Sequence, residues 1–383
     1  MSVAVPDRRG CSLCVSLRRA VLLTSMGGAG SRLALAAGLV IVAGAAPAGA
    51  QWIVTNLHAP GSNLSFATGA FGLNQVGYAV VRDAPRASLW SGSAASWVDL
   101  NPASADRSMA LGASSSGQVG YADFGNTSRA SLWSGSAASW VDLHPEEVAT
   151  SSVAYGAGDS HQVGYAVVAG ESRASLWSGT AASWVDLHGK RPGSSVATAV
   201  SVSNQVGFTG VGGLNHASLW SGSADSWVDL HPSGAYWSSA TGTSGTIQVG
   251  FAVFAFGEVS RASLWSGTAD SWVDLNPAGS DFSVAYSSSS TNQVGFAIVG
   301  GLWRASLWSS TADSWVDLHS FLPAEFTGSE ARSVWSDESS TYVAGSGWNA
   351  VTARHEALLW VVPAPSTAML LGLGGLIAAR RRR

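Results

Sequence analysis

The chain has 383 residues, of which only 11% are charged, and it contains 45 glycines and 18 tryptophans. About 25% of the residues in a typical soluble domain are charged, so this composition favours a β-rich extracellular protein and argues against a cytosolic helical enzyme. Between residues 51 and 361 the acidic side chains outnumber the basic ones by about two to one, and a body of that charge is expected to repel nucleic-acid phosphates.

The first 50 residues are predicted to be a secretory signal peptide. An apolar run at 33–44 follows a basic segment, and Ala48 and Ala50 supply the two small residues of an A-x-A cleavage site. The basic segment is long enough for Met26 to be the true start. Its twin arginines lack the rest of a twin-arginine export motif, so the export route stays open.

Cys11 and Cys14 are the only two cysteines, and their CxxC spacing is one that redox and zinc sites use. Both precede the apolar run, so they are expected to be removed with the leader. The mature protein would then have no thiol, disulfide or cysteine ligand, and its stability would come from packing.

Residues 51–361 contain seven copies of one repeat with a period of about 44 residues. Four markers recur in fixed order: the leucine that ends a WVDL-type segment, the alanine of SxA, the valine of QVG and the tryptophan of ASLW. In the first copy they are Leu57, Ala67, Val76 and Trp90, and in the seventh they are assigned to Leu318, Val334, Val343 and Trp360. That assignment keeps the nine-residue spacing between the second and third markers that the first six copies share.

Each marker lies in a short segment with strand character. In QVGYAV the larger apolar residues alternate onto one face, as in a half-buried strand, and SGSAAS is a small polar turn that would join the ASLW and WVDL strands in a hairpin. Four strands in about 44 residues is the size of a propeller blade. We therefore predict an all-β, seven-bladed β-propeller over 51–361, with a β-solenoid as the alternative.

The phase of the repeats predicts how the ring closes and packs. The body opens on a WVDL-type strand at 54–57 and ends on an ASLW-type strand at 357–360, so the first strand can complete the last blade and remove exposed sheet edges. The thirteen tryptophans of the ASLW and WVDL segments are expected to be buried between blades. The glycine of QVG is expected to admit the tryptophan of a neighbouring blade.

The repeated polar residues are interpreted as structural. Histidines that follow the WVDL leucine share a slot that asparagine fills in two copies, which favours turn caps over metal ligands; they are His58, His144, His188, His231 and His319. The repeated aspartates and arginines are expected to pair across the ASLW–WVDL hairpin. The sequence indicates no cofactor: it has no nucleophile elbow, zinc spacing, phosphate loop or calcium loop, and no two acids stand out for glycoside hydrolysis.

A unique binding site is expected where the repeat loses its symmetry. Copy five is extended around Phe254 and Phe256, and copy seven is stretched so that it adds Trp348 and His355. Insertions in repeat proteins map to loops on one face, which is often the binding face. These four residues are therefore the candidate binding residues, and drift in a terminal repeat is the alternative.

The chain closes on a three-part segment with the order of a sorting signal. A short motif, an apolar stretch at 367–379 and a cluster of arginines follow one another: Val362, Pro363, Ala364, Pro365, then Arg380, Arg381, Arg382 and Arg383. The apolar stretch is shorter than the roughly 20 residues that span a bilayer comfortably, and the arginines should stay cytoplasmic and hold the body outside. A weak membrane anchor with no sorting function is the alternative interpretation of this segment.

This order resembles the PEP-CTERM sorting signal of Gram-negative bacteria that make exopolysaccharide, except that Ala364 stands where the family usually has glutamate. The resemblance implies an exosortase-like protease as partner, transient insertion in the inner membrane, and release to the cell surface or extracellular matrix. The repeat itself is similar to HAF-type extracellular repeats, with Ala-Ser-Leu-Trp in place of His-Ala-Phe. That likeness implies a propeller-like extracellular module that carries no known catalytic residues.

Together these features predict an exported, non-catalytic surface or matrix protein with a structural or adhesive propeller. A carbohydrate-binding module for exopolysaccharide is the first alternative and a polysaccharide hydrolase or lyase the second, because propellers serve in all three roles. Exposure of the repeat tryptophans would favour the first alternative. A cluster of acids or histidines at the mouth of the central channel would favour the second.

Overall fold

The computed structural model describes residues 52–254 and 259–363, and within these ranges it is a ring of seven four-stranded antiparallel sheets. In each sheet the first strand lines a central channel, and the remaining strands follow outwards. This is the predicted seven-bladed β-propeller. The β-solenoid alternative is wrong, because each repeat forms a separate antiparallel sheet instead of one coil of a continuous sheet.

The strand bounds repeat closely from blade to blade. Blades one and two contain β2 (Leu64–Phe71), β3 (Asn74–Val81), β4 (Ala84–Trp90), β5 (Val98–Asp99), β6 (Arg107–Ser114), β7 (Gly117–Phe124), β8 (Thr127–Trp133) and β9 (Val141–Asp142). Blades three and four contain β10 (Ser151–Ala157), β11 (Gln162–Val168), β12 (Glu171–Trp177), β13 (Val185–Asp186), β14 (Ser195–Ser201), β15 (Asn204–Val211), β16 (Leu214–Trp220) and β17 (Val228–Asp229). The outermost strand of these blades is only two residues long, which leaves little free edge for pairing with another chain.

The remaining blades follow the same order. Blades five and six contain β18 (Trp237–Ser244), β19 (Ile247–Val253), β20 (Arg261–Trp265), β21 (Val273–Asp274), β22 (Ser280–Ser288), β23 (Gln293–Val299), β24 (Leu302–Trp308) and β25 (Val316–Asp317). Blade seven contains β26 (Phe326–Ser336), β27 (Ser340–Asn349), β28 (Arg354–Pro363) and β1 (Ile53–Asn56). Short 3-10 turns lie at Ala94–Ser96, Ala137–Ser139, Ala181–Ser183, Ala224–Ser226, Ala269–Ser271, Ala312–Ser314 and Leu318–Phe321.

The ring has two distinct faces. On one face the outermost strand of each blade crosses to the innermost strand of the next, and the second and third strands of each blade turn; we call it the upper face. The lower face carries the turns between first and second strands and between third and fourth strands. Both descriptions follow from the antiparallel order of the strands.

β1, the first strand in the chain, completes blade seven as its outermost strand, as predicted. β1 pairs antiparallel with β28, in a register that sets Ile53 opposite Val361 and Asn56 opposite Leu358. The segment after β1 then enters blade one, so the start and the end of the propeller share one sheet. No blade is left with its outermost position empty.

The glycine of QVG is required by a backbone contact within its own blade. Ala67 pairs with Gly77 and Gly69 with Val76, which leaves an extra residue as a β-bulge in β2. A Cβ atom on Gly77 would lie 1.9 Å from the carbonyl oxygen of Phe66. The prediction that this glycine admits a neighbouring tryptophan is therefore wrong, because the bulged strand beside it takes the space.

The tryptophans of the ASLW segments form the layers between blades. Trp90 is fully buried and packs with Leu57 and Ala67 against Ala357 and Leu359 of blade seven. The other six ASLW tryptophans are likewise 0% exposed; they are Trp133, Trp177, Trp220, Trp265, Trp308 and Trp360. For these seven the prediction of burial is confirmed.

The tryptophans of the WVDL segments are only half-buried, so the prediction of burial overstated their packing. Each follows a 3-10 turn beside a two-residue outer strand, where no further strand covers it. The indole N–H of each donates to a serine hydroxyl of the neighbouring strand, as Trp97 does to Ser88 at 2.9 Å. The other pairs are Trp140–Ser131, Trp184–Ser175, Trp227–Ser218, Trp272–Ser263 and Trp315–Ser306.

The seventh copy aligns differently from its predicted markers. In blade seven Ala331 pairs with Gly345, as Ala67 pairs with Gly77 in blade one, and Ala344 takes the place of the QVG valine. Val334 and Val343 pair with each other beyond the bulge, in a longer hairpin. Val334 and Val343 are nine residues apart, as the second and third markers are in the other copies, but they occupy different positions in the sheet. The match in spacing is therefore a coincidence.

Several predicted features lie outside the described residues. These are the leader with Ala48 and Ala50, Phe256, and the tail residues Ala364, Pro365, Arg380, Arg381, Arg382 and Arg383. Val362 and Pro363 are described, and both belong to β28, where they pair with Thr341 and Ser340. In the stretches that the structure covers, no helix is long and apolar enough to cross a membrane.

Candidate functional site

The repeated aspartates serve structural hydrogen bonds on both carboxylate oxygens. In blade one Oδ1 of Asp99 accepts the main-chain N–H of Asn101 at 2.8 Å, which caps the turn that leaves the outer strand. Oδ2 of Asp99 accepts from Arg86 at 3.3 Å. The same pairing holds for Arg129–Asp142, Arg173–Asp186, Arg261–Asp274 and Arg304–Asp317, at 2.7 to 3.0 Å. The predicted cross-strand ion pairs are thus confirmed.

The histidine after the WVDL leucine joins two blades rather than holding a metal. Nε2 of His231 lies 2.9 Å from the carbonyl oxygen of Ala235, which can only accept, so Nε2 carries the proton. Nδ1 therefore accepts from the hydroxyl of Ser238 at 2.8 Å. The same hydroxyl oxygen accepts the N–H of Ala217 from the preceding blade at 2.9 Å.

The turn-cap interpretation of these histidines is only partly right. Their main-chain N–H groups donate to the side chain two residues before them, an aspartate in four cases and Asn56 in the case of His58, and that residue is the cap. Their rings hold the serine of the next blade, as the ring of His231 holds Ser238. Asn101 acts in the same way, since its Oδ1 accepts from Ser108 at 2.7 Å. Burial lowers the pKa of His58, His144, His231 and His319. Among the residues described, no group of three or more His, Cys, Asp or Glu side chains is placed to hold a metal ion.

The described residues that line the central channel include no acidic residue and no histidine. The channel has a volume of about 660 Å³ and is lined by the first strands of all seven blades, mainly through glycine, alanine, serine and threonine. Arg332 is the only charged side chain among the described residues that line it. The cluster of acids or histidines that would favour a hydrolase or lyase is therefore not present in this lining.

The predicted binding residue of blade five packs onto its own blade. The ring of Phe254 lies 4.8 Å from that of Trp272, and the guanidinium of Arg261 lies 6.0 Å from the Phe254 ring. Phe254 does not line the cleft described next. The structure therefore does not join the two predicted binding regions into one site.

A cleft of about 520 Å³ opens on the upper face where blade six meets blade seven. Trp348 and His355, both predicted as binding residues, line it on the β27–β28 turn. Trp303 lines it from β24 of blade six, and Glu330 and Arg332 line it from β26. These last three were not predicted as binding residues: Trp303 and Arg332 lie outside the stretched segments of the sequence, and Glu330 ends the stretched segment 320–330 but was not singled out.

Ser346 shows why the cleft occurs in blade seven. The residue after the QVG glycine is aromatic in six copies and is Ser346 in the seventh; the aromatic residues are Tyr78, Tyr121, Tyr165, Phe208, Phe251 and Phe296. Exchange of a ring for a hydroxymethyl group leaves space on the upper face. This break in the pattern was readable from the sequence once the seventh copy was aligned correctly.

The walls of the cleft are aromatic and partly exposed. Trp303 stacks on Phe296 with 4.2 Å between ring centroids and an interplanar angle of 9°. Trp348 meets His355 edge to face at 5.1 Å, and His355 stacks on Phe66 of blade one at 4.8 Å. Trp303 remains 47% exposed and Trp348 39% exposed, so each presents a supported indole to solvent.

The polar groups of the cleft form a compensated pair. Oε2 of Glu330 lies 2.9 Å from Nη2 of Arg332, whose guanidinium also lies 4.3 Å from the ring centroid of Tyr286. The hydroxyl of Ser346 donates to Oε1 of Glu330 at 3.4 Å. Burial lowers the pKa of His355, and its Nδ1 is buried without a hydrogen-bond partner. The site thus combines aromatic walls with an acceptor carboxylate and no net charge.

No family model matches this chain, and no curated protein sequence matches it. Among solved structures it is similar to TolB from Acinetobacter baumannii, at 7% identity and a TM-score of 0.36 over 62% of this chain and 60% of that one. It is similar to the acylaminoacyl peptidase of Pyrococcus horikoshii, at 8% identity and a TM-score of 0.46 over 81% of this chain and 54% of that one. It is also similar to the sialidase of Trypanosoma rangeli, at 12% identity and a TM-score of 0.36 over 82% of this chain and 55% of that one. The chain therefore spans just over half the length of these proteins, and at these scores the similarity assigns no activity to it.

Proposed function

We propose that this chain is an exported, non-catalytic surface or matrix protein whose propeller attaches to a matrix component through the cleft of blades six and seven. The observation that carries the proposal is the pair of exposed indoles, Trp303 and Trp348, each supported from behind by a second ring. Binding sites for small ligands are typically concave and aromatic, with a few polar groups that fix orientation. The cleft has that composition.

The charge arrangement supports binding over catalysis. Glycoside hydrolysis generally uses two carboxyl groups about 5 to 10 Å apart, and Glu330 is the only carboxylate among the described residues that line the cleft. It is already ion-paired with Arg332. In the repeats, both oxygens of the repeated aspartates serve structural hydrogen bonds, as Asp99 illustrates.

The export half of the proposal depends on the two ends of the sequence. The leader and the PEP-CTERM-like tail would direct the protein across the inner membrane, and an exosortase-like protease would release it to the cell surface. Val362 and Pro363 belong to β28, so a cut after Pro365 would leave the strand that carries them whole.

The experiment follows the full chain in cells that make an exopolysaccharide matrix. Mass spectrometry of matrix protein should find no peptides beyond about Pro365, and replacement of the four terminal arginines with serine should reduce sorting. Recovery of an intact tail in the matrix would contradict release by cleavage.

Attachment through the cleft is tested in the same cells. The double variant Trp303→Ala, Trp348→Ala should move the exported protein from the matrix to the medium. The matched control is Trp237→Ala, on blade five, which does not line the cleft. Equal retention of both variants would contradict attachment through this site.

A further inference from the structure

We infer that the cleft between blades six and seven binds an uncharged pyranose sugar of a polysaccharide and disfavours sugars that carry carboxylates. This inference names the ligand of the binding module proposed above and rests on that proposal. It goes beyond the proposal in the chemical class of the ligand, which the walls and the charge of the cleft determine separately.

The aromatic walls favour a sugar ring. A pyranose with equatorial hydroxyls has a flat face of C–H groups, and such a face packs on an indole, which is large, rigid and apolar over most of its area. Trp303 and Trp348 are exposed and come from hairpins of two adjacent blades. Phe296 and His355 hold them in place, so little side-chain freedom is lost when a ligand binds.

The polar atoms suit hydroxyl groups. Glu330 keeps acceptor capacity, because a carboxylate has about four lone-pair sites and Arg332 and Ser346 use only part of them. A ligand hydroxyl that donates to Glu330 would use this capacity.

The charge of the cleft argues against an acidic sugar. Arg332 is the cation with which a ligand carboxylate would pair. Its Nη2 is already paired with Oε2 of Glu330 at 2.9 Å. A carboxylate that enters would have to displace Glu330 or lie beside it, and like charges side by side are unfavourable. The excess of acidic residues over 51–361 adds a repulsive field of the same sign.

The test compares two oligosaccharides with the same linkage that differ only at carbon six: β-1,4-linked glucose hexamer and β-1,4-linked glucuronic acid hexamer. Full-length chain is purified in a detergent without a sugar headgroup, and binding is measured by isothermal titration calorimetry. A β-1,3-linked glucan and a β-1,4-linked mannan hexamer extend the neutral set. We expect at least one neutral hexamer to bind about tenfold or more tightly than the glucuronic acid hexamer. Binding of the acidic hexamer as tight as any neutral one, or binding of no neutral hexamer, would overturn the inference.

Variants locate the binding and test the role of charge. Trp303→Ala and Trp348→Ala should each weaken binding of the neutral hexamer by about tenfold, while Trp237→Ala should leave it unchanged. Glu330→Gln keeps the size of the side chain but frees Arg332, so it should increase affinity for the glucuronic acid hexamer. Circular dichroism melting curves verify that each variant is folded. Unchanged neutral-sugar binding in both tryptophan variants would place the sugar elsewhere and overturn the inference.

The two proposals can fail separately. If matrix attachment in cells depends on Trp303 and Trp348 but no neutral hexamer binds, the ligand class is wrong and the attachment site stands. If attachment does not depend on these residues, the proposed function is wrong, whatever the calorimetry finds.

Discussion

Nδ2 of Asn56 donates to Oε2 of Glu356 at 2.7 Å, across 300 residues of sequence. In the other blades the corresponding pair is an aspartate on the outer strand and an arginine, or in blade four His216, on its neighbour. In blade seven the acidic residue, Glu356, lies on β28, which is the inner of the two strands, and the outer strand β1 supplies Asn56. The pair that fastens the ring therefore has the opposite polarity from the pairs within the other blades.

Removal of this closing pair should destabilise the whole ring. Glu356 is 2% exposed and accepts from Asn56, Asn349, Thr352 and Arg354. Glu356→Ala removes all four of these hydrogen bonds and leaves the buried amide of Asn349 without this acceptor, so it should lower the free energy of unfolding by about 2 to 4 kcal/mol. Asn56→Ala removes one hydrogen bond and should lower it by about 1 to 2 kcal/mol. Urea denaturation of both variants measures the two losses, and a smaller loss for Glu356→Ala than for Asn56→Ala would contradict this account.

The two tryptophans of one blade should differ in their contribution to stability. Trp177 is fully buried between blades, and its truncation to alanine should cost about 3 to 5 kcal/mol. Trp184 is half-buried at the rim, so Trp184→Ala should cost clearly less. Trp348, at 39% exposed, is the matched control on the upper face and should cost least. The midpoints of chemical denaturation rank the three, and equal losses at Trp177 and Trp348 would mean that the packing between blades is not as described.

Stability should fall as the solution becomes acidic below pH 6.5. Burial lowers the pKa of His144, His231 and His319 in the folded protein below the ordinary 6.5 of histidine. The unfolded chain then binds more protons below pH 6.5, so stability is full above that value and is lost as the pH falls towards the folded pKa. Urea midpoints at pH 7.5 and 5.5 measure the loss.

Asparagine supplies the matched control for this pH effect. Asn101 and Asn276 already occupy the histidine slot in two blades and accept from the same serine position. The triple variant His144→Asn, His231→Asn, His319→Asn should fold at pH 7.5 and lose less stability between pH 7.5 and 5.5 than the parent. An unchanged pH profile would show that other groups cause the acid sensitivity.

Two glycines of blade three should respond differently to alanine. A Cβ on Gly164 would lie 1.8 Å from the carbonyl oxygen of Val153, so Gly164→Ala must displace a bulged strand and should cost about 3 kcal/mol or more. A Cβ on Gly158 would find its nearest neighbour at 3.5 Å, an ordinary contact, and Gly158→Ala should change stability little. Thermal unfolding of the two variants decides this, and a tolerated Gly164→Ala would contradict the bulge geometry.

The blade count and the closure were predictable because both depend on periodicity. Strong markers such as Trp90 and Leu57 recur once per copy, and the chain begins and ends out of phase by one strand. The alignment of the seventh copy was not predictable from spacing, since Val334 and Val343 reproduce the nine-residue interval of the other copies, whereas the true counterparts, Ala331 and Ala344, are farther apart in a longer hairpin. Spacing alone does not distinguish a bulged pair from a regular pair.

The candidate site was only half predictable. Trp348 and His355 lie in a visible insertion, so the sequence identified them. Trp303 lies outside the stretched segments and Glu330 at the end of one, and both line the cleft at which Ser346 replaces the aromatic ring of the other copies. When a site forms because a side chain is missing, its residues are those that face the gap. Identifying them requires the three-dimensional packing of the two blades.

The direction of β28 has a consequence for how the protein would be displayed. The strand starts beside the cleft, at Arg354, and runs away from it to Pro363, about 30 Å at the usual rise of a strand. β1 runs antiparallel to it, with Ile53 opposite Val361, so the chain also enters the propeller at that far end. Anything that holds the protein by the residues after Pro363 therefore holds it by the lower face. In such an arrangement the cleft and its two exposed indoles lie on the face opposite the point of attachment, where the surrounding medium can reach them.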